Sequence, residues 1–450
     1  MTKDIQFRIE GDRMKNHLFR QFALEEWMNQ VIDKLGFYEP TAIQKKVIPE
    51  TLRNNDIIGQ SETGSGKTHA FLIPLLQQLD PELEETQFIF TAPTRELASQ
   101  IYEEVKKIMD YSDNNDKWRA KLIIGGTDKK RMIEKMKRPP HIVVATPGRL
   151  LDLVEEQVLQ VFKAKAFVID ETDLMLELGL IEEIDKTLVR CNPDIQLLVF
   201  SATIPEKLQP FLKKYLQSPT YIKIEDRLTP ERLEHRLVPL KHRNPADVIH
   251  NISKTIHPYL AIIFTNGKDR ADELAGELIE RGLNVGVIHG GLEPRERKRV
   301  LKDIQQLSYQ YIVATDLAAR GIDIAGVSHV INAELPKEDS FYIHRVGRTA
   351  RAGMEGIAIN LYKEEDIDLV KKLETQGLNF TFYDIVKDEW RETKPYNARQ
   401  KRQRREDDFD RQAWQKVRKP KKVKPGYKKK LKAKQQKIKR KLKQSEFKKK

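Results

Sequence analysis

Asn54 to Leu76 reads NNDIIGQSETGSGKTHAFLIPLL. A short β-rich run, Asp56 to Gln60, meets a loop of small residues and then an apolar segment of helical character. Gly64 and Gly66 let backbone N–H groups curl around an anion, and the helix that follows adds its positive N-terminal end. Lys67 reaches the β and γ phosphates of a nucleotide, and the Thr68 hydroxyl suits Mg²⁺. Ser61 takes the first position of the G-x-x-x-x-G-K-[ST] pattern, where another small residue is usual, so the loop Ser61, Glu62, Thr63, Gly64, Ser65, Gly66, Lys67 and Thr68 is expected to hold a nucleotide.

The same alternation of apolar strand and helix runs outward from this stretch. QFIFTAPT, KLIIGG, HIVVATP, AFVIDE and LLVFSAT follow it, and after a pause around residues 218–237 come YLAIIFTN, NVGVIHG, YIVATD, SHVINAE and GIAINLY. Near-continuous apolar strands separated by helices imply parallel sheets covered on both faces. The expected class is therefore α/β, in two tandem domains. Expected boundaries are an N-terminal extension over 1–17, a first domain over 18–217, a linker over 218–231, a second domain over 232–377, and a basic extension over 378–450, with no strand beyond about Gly377. A chain of 450 residues is long enough for two such cores.

Polar residues gather where these strands end, and ligands of open α/β sheets bind along that edge. In VIDETDLML, Val168 to Leu176, three carboxylates follow an apolar run. A carboxylate at a buried strand end needs a cation or hydrogen-bond donors. Asp170 is expected to hold the Mg²⁺ that accompanies the nucleotide, and Glu171 to orient and deprotonate an attacking water.

The net charge of +14 is unevenly spread. Residues 411–450 contain 20 Lys or Arg and a single acid, Glu446, so they carry +19 and the rest of the chain −5. Such a tail points to a polyanion, most plausibly nucleic acid, and is expected to be largely disordered when free. One cysteine, Cys191, excludes an internal disulfide or a cysteine-built metal site and fits a reducing compartment. No apolar run reaches the length of a membrane span and the start shows no signal-peptide core, so a cytoplasmic protein without a membrane partner is expected.

From about Phe19 to Gly377 the chain resembles the DEAD-box RNA helicases of superfamily 2, most closely the bacterial cold-shock type of low-GC Gram-positive organisms. Its acidic signature is D-E-T-D, with Thr172 where the family name has Ala. The resemblance implies two RecA-like domains and an RNA-stimulated ATPase that takes ATP and Mg²⁺. GFYEPTAIQ, Gly36 to Gln44, resembles the adenine element, with Gln44 facing the Hoogsteen edge, Phe37 offering a stacking face and Phe19 the upstream aromatic. SAT, Ser201 to Thr203, resembles the motif that hydrogen-bonds Asp173 and couples the nucleotide to closure. HRVGRTARAG supplies Arg348 and Arg351, expected on one face of a helical turn as arginine fingers, and His344 and Arg345, expected to bridge to the first domain and the neighbouring loop. In ATDLAARGID the resemblance puts Asp323 on the ATP ribose and Thr315, Arg320 and Gly321 on the RNA side; Arg297, in HGGLEPRER, is expected there too.

RNA contacts of the first domain are expected from Pro93, Thr94 and Arg95, from Gly125 and Gly126, and from Thr146, Pro147, Gly148 and Arg149. Glycines let a phosphate approach backbone N–H groups, while hydroxyls and arginines hold phosphates and 2′-hydroxyls, so binding is expected to be largely independent of sequence. The functional expectation is a monomeric helicase that closes on single-stranded RNA and locally unwinds short duplexes, serving ribosome assembly, RNA decay or cold adaptation with ribosomal precursors or decay machinery as partners. An ATP-gated RNA clamp shares every motif and is the competing reading.

Overall fold

The computed structural model describes residues 18–396 apart from 62–63, 113–116, 127–128, 135, 137, 225–232, 320–325 and 350–354, together with 412–417 and 427–447. Two sheets organise it. The first contains β1 (Ile57–Gln60), β2 (Phe88–Thr91), β3 (Ala120–Ile123), β4 (Ile142–Ala145), β5 (Ala166–Ile169), β6 (Gln196–Ser201) and β7 (Thr220–Lys223), in the order β3-β4-β2-β5-β6-β1-β7. Every pairing in it is parallel. Alternate residues of each strand feed two separate cores: Phe88, Phe90 and Val168 pack on one face, Ile89, Phe167 and Ile169 on the other. That double burial is why the strands read as unbroken apolar runs.

The second sheet contains β8 (Leu233–Pro239), β9 (Ala261–Thr265), β10 (Val285–Ile288), β11 (Tyr311–Thr315), β12 (His329–Asn332), β13 (Gly356–Tyr362), β14 (Phe380–Val386) and β15 (Glu389–Glu392). Its order is β10-β11-β9-β12-β13-β8-β14-β15, parallel except for the β14–β15 hairpin. These are the two parallel-sheet α/β units that the strand pattern implies.

Two expectations need correction. The span 218–231 is not all linker, because β7 pairs with β1 and belongs to the first sheet. Strands also continue past Gly377, since β14 pairs with β8 and β15 closes a hairpin on β14. Both misreadings have one cause. β7 and β15 lie at sheet edges, and β7, β14 and β15 bury few of their residues, so they lack the apolar run of a strand covered on both faces.

In the basic tail the described residues include a helix, Tyr427–Phe447. Leu431, Gln435, Ile438 and Leu442 fall on one face of it and are buried or half-buried. Among the described residues, no helix is long and apolar enough to cross a membrane.

Candidate functional site

The order of the first sheet sorts the candidate residues into two groups. β5, β6 and β1 are neighbours, so the acids after β5, the SAT segment after β6 and the phosphate loop after β1 lie side by side. β3, β4 and β2 form the other half, and after them come Gly125 and Gly126, Thr146 to Arg149, and Pro93 to Arg95. One sheet edge thus carries a candidate nucleotide half and a candidate RNA half, as a crevice at the carboxyl ends of parallel strands allows.

In the nucleotide half, Gly66 caps the helix Lys67–Leu76 with φ +93, a left-handed conformation that favours glycine. A Cβ there would stand 2.8 Å from Gln44 Nε2 and 2.9 Å from Thr41 Oγ1, so space as well as backbone conformation demands glycine. Lys67 is buried and donates to the Ser61 carbonyl at 3.1 Å and to Glu171 Oε1 at 3.2 Å. Burial, the strongest influence on its ammonium, favours the neutral form, but the charges of Glu171, Asp170 and Asp173 together outweigh it and raise its pKa. The Ser61 and Ser65 hydroxyls are 2.9 Å apart, and Thr68 is half-buried at the start of the helix. Glu62 and Thr63 lie outside the described residues.

The acids respond differently to the same burial. Asp170 is pushed up to about 7, first by burial and then by the adjacent Glu171 charge, with Lys67 opposing. For Asp173, burial again raises the pKa, but the charges of His344 and Lys67 and the hydrogen bonds from Thr203 overcome it and hold the carboxyl below its ordinary range. Thr203 donates to Asp173 Oδ2 from its N–H at 2.9 Å and its hydroxyl at 3.0 Å, while Ser201 Oγ accepts from the Asp173 N–H at 3.1 Å. Glu171 itself has φ 52 and ψ 51, a left-handed conformation unusual for a residue with a side chain. This turn joins β5 to the helix Thr172–Glu177.

Thr172, in the D-E-T-D signature, is fully buried. Its hydroxyl shares its one hydrogen between the Ile169 carbonyl at 3.1 Å and the Phe200 carbonyl at 3.0 Å, joining the ends of β5 and β6. The signature therefore takes Thr in place of Ala without leaving a buried polar group unpaired.

At the base end, Gln44 accepts from the Thr41 N–H at 2.9 Å and donates to the Gly66 carbonyl at 3.1 Å, tying the adenine element to the phosphate loop. One amide hydrogen and one lone pair remain for a base edge. Phe37 is half-buried. Phe19 is different: at 1% exposure it belongs to the hydrophobic core and cannot offer a face to a ligand, so its expected place in the ATP site is corrected to core packing.

In the candidate RNA half, Thr94 caps the helix Arg95–Tyr111 by accepting from the Leu97 N–H at 3.2 Å. Arg95, exposed, lies across both glycines: a Cβ on Gly126, whose φ is +74, would meet Arg95 Nη1 at 2.3 Å. Pro147 opens the helix Pro147–Glu155 behind Thr146, and Arg149 approaches Asp152 at 3.7 Å. Pro93 is buried and Gly148 half-buried in these loops.

In the second lobe, Arg345 is almost fully buried and bonds only within its own lobe: to both Asp316 oxygens at 2.5 and 2.7 Å, to the Asn332 and Asn266 amide oxygens, and to the Glu334 carbonyl. It does not bridge to the first lobe; its five donors are all used in holding β9, β11 and β12 to its helix. His344 does face across, with Nε2 3.8 Å from Asp173 Oδ2. The helix Asp339–Val346 ends before Arg348, which is buried in the following turn; Gly347 ends the helix, and the Arg348 N–H turns back to the Arg345 carbonyl at 3.1 Å. Arg351, Arg320, Gly321 and Asp323 lie outside the described residues, and Thr315 is half-buried at the end of β11.

Arg297 also departs from expectation. Its Nε donates to Glu96 Oε1 of the first lobe at 2.5 Å, and its other nitrogens bond the His289 and Ala318 carbonyls. The guanidinium is thus occupied by a link between lobes rather than pointing freely to RNA. Glu96 is not among the expected site residues, although it stands with the polar residues after a strand and in the first turn of the helix after Thr94. Asp316, a partner of Arg345, carries the same signal, since it follows Thr315 at the end of an apolar strand.

Family models agree with this layout: a DEAD/DEAH box helicase model matches residues 41–211 and a helicase conserved C-terminal domain model residues 244–353. The chain is 49% identical over 437 residues to the DEAD-box ATP-dependent RNA helicase CshB of Bacillus subtilis, covering 97% of this chain and all of that one. It is 48% identical to the protein of the same name from Listeria monocytogenes, covering 95% and 98%. Among solved structures, S. cerevisiae Dbp5 bound to RNA and ADP BeF3 aligns with a TM-score of 0.73 at 29% identity, covering 81% of this chain and 95% of that one. Mss116 bound to ssRNA and UDP-BeF aligns with a TM-score of 0.72 at 28% identity, covering 82% and 80%. On its sequence, its two sheets and the motifs ranged along their edges, the chain belongs to the DEAD-box ATP-dependent RNA helicases, a family of RNA-stimulated ATPases.

Proposed function

We propose that ATP and single-stranded RNA together draw the two lobes closed, that closure separates short RNA duplexes locally, and that hydrolysis reopens the cleft and releases the strand. One observation carries this reading: contacts between the lobes leave from both halves of the first sheet's edge. His344 meets Asp173 from the nucleotide half, and Arg297 meets Glu96 from the RNA half. A closed state that both ligands favour makes each promote binding of the other. Dbp5 and Mss116 were each solved with RNA and a nucleotide analogue, which supports the same pairing of ligands here.

Within the site, Lys67 pairs with Glu171. A triphosphate would offer the ammonium a stronger partner and leave Glu171 to take the proton of the attacking water. Ser61 to Thr68 would surround the phosphates, and Gln44 and Phe37 would receive the adenine. Arg348 and Arg351 would neutralise charge on the γ-phosphate, with Asp323 on the ribose. Asp170 and Thr68 suit Mg²⁺: both offer hard oxygen donors, and a carboxyl that burial drives up to about 7 is one that a cation would hold ionised. Mg²⁺ bound there would offset charge on the β and γ phosphates. Pro93 to Arg95, Gly125, Gly126, Thr146 to Arg149, Thr315, Arg320 and Gly321 would line the RNA groove.

We read the protein as a cytoplasmic monomer acting in ribosome assembly, RNA decay or cold adaptation, with ribosomal precursors or decay factors as partners. Its tail would tether structured RNA by counterion release. Deleting residues 395–450 is expected to weaken RNA binding and flatten its salt dependence, checked by titrations at several salt concentrations. The central test is release of a short RNA duplex with ATP and with a non-hydrolysable analogue. Fast release with ATP supports the helicase, whereas long-lived complexes without strand separation would turn the reading to an RNA clamp.

A further inference from the structure

His69 has no part in the assignments above, although it follows Thr68 directly in the first turn of the phosphate-loop helix. Its ring meets that of Phe37 edge to face, with centroids 4.6 Å apart and planes at 78°. On its other side, Nε2 lies 3.2 Å from Glu104 Oε2 on the helix Arg95–Tyr111, near enough for an ion pair though not aligned as a hydrogen bond. Glu104 is held in turn by Lys107 at 2.6 Å. Only 13% of the His69 side chain and 25% of the Glu104 side chain are exposed, so solvent screens this pair less than an ordinary surface pair.

We propose that His69, anchored by Glu104, is a positioning residue for adenine, bracing the Phe37 ring as the wall on which the base stacks. The inference rests on the reading of Phe37 as that wall. A stacking face is useful only if it is held still, because a ring that must be ordered on binding spends part of the stacking energy on that ordering. Phe37 stands on the loop after Gly36 and so needs a brace from another element. Gln44 links this loop to the phosphate loop by a hydrogen bond to Gly66; His69 makes the second link, from the helix that follows the same loop.

The test is steady-state ATPase of the full chain at saturating RNA, for His69→Ala, Phe37→Ala and the double variant. An edge contact between rings is worth about two- to tenfold in affinity, so His69→Ala should raise KM for ATP by that factor with little change in kcat. KM for a ribose triphosphate lacking the base should stay where it was. The double variant should be no worse than Phe37→Ala, since the brace matters only through the ring it holds. His69→Gln, which keeps a polar contact to Glu104 but no ring, should behave as His69→Ala does and serves if the alanine variant melts early. Additive effects in the double variant, or an equal rise in KM for the base-free substrate, would overturn the proposal. If Phe37→Ala raises KM and His69→Ala does not, the brace alone is wrong; if Phe37→Ala has no effect, the wall itself is wrong.

Discussion

The two halves of the first sheet's edge solve different problems with the same strand ends. Along β5, β6 and β1, charged side chains are buried against one another: Lys67 on Glu171, Asp173 between Thr203 and His344, and Asp170 driven up to about 7. Along β3, β4 and β2 the polar groups are half-buried or exposed, with the Thr94 hydroxyl capping a helix and a guanidinium lying over glycines. Burial gives the first half titratable groups whose protonation matters, as chemistry on a phosphate requires. Exposure gives the second half a surface that can hold a sugar–phosphate backbone without reading bases. The contrast is one of dielectric rather than of fold.

The sharpest way to break this contrast is at Glu171. Glu171→Gln is expected to lower RNA-stimulated phosphate release by about 10²- to 10⁴-fold, the range for loss of a general base. An undiminished rate would remove Glu171 from the chemistry. Next comes pH. Because the Asp170 pKa is raised, its protonated form dominates below about 7, and a cation must then displace a proton before it can bind. Affinity for nucleotide in the presence of Mg²⁺ should therefore fall about tenfold for each pH unit below 7 and level off above it. Nucleotide-free RNA binding, measured over the same range, should not share this step, since the RNA half relies on arginines and hydroxyls.

Gly126→Ala probes the other half. The added methyl would displace Arg95 and strain a positive φ. The RNA concentration that half-saturates ATPase is expected to rise about tenfold, equivalent to about 1.4 kcal/mol, with a much smaller change in KM for ATP. The smallest effect is expected at Thr172. Thr172→Ala removes one shared hydrogen bond between the ends of β5 and β6 without stranding a donor, so the melting temperature should drop by roughly 2–4 °C. A collapse of turnover in that variant would mean that the hydroxyl sets the carboxylate geometry as well as the strand ends.

Particular residues show where the sequence was legible. Lys67, Asp170 and Asp173 could be placed because a glycine loop and a run of acids at a buried strand end have few purely structural uses. Arg345 was placed too generally, since a long cation can reach many partners, and which ones it finds depends on β9, β11 and β12 being neighbours. Phe19 was misplaced because an aromatic suited to stacking is equally suited to a core, and only its neighbours decide. Arg297 shows the same difficulty: arginine serves a phosphate or a carboxylate, and Glu96 lies 201 positions away in the chain.

What the chain by itself determined was local: strand then phosphate loop then helix, apolar runs for strands covered on both faces, acids and glycines at their ends, and a basic tail. These follow from period, steric freedom and charge, which act over a few residues. Strand order was decided only in three dimensions, since a right-handed crossover can return a chain to several positions in a sheet. That order sets β5, β6 and β1 together for the nucleotide and β3, β4 and β2 together for RNA, and so divides one edge into two sites.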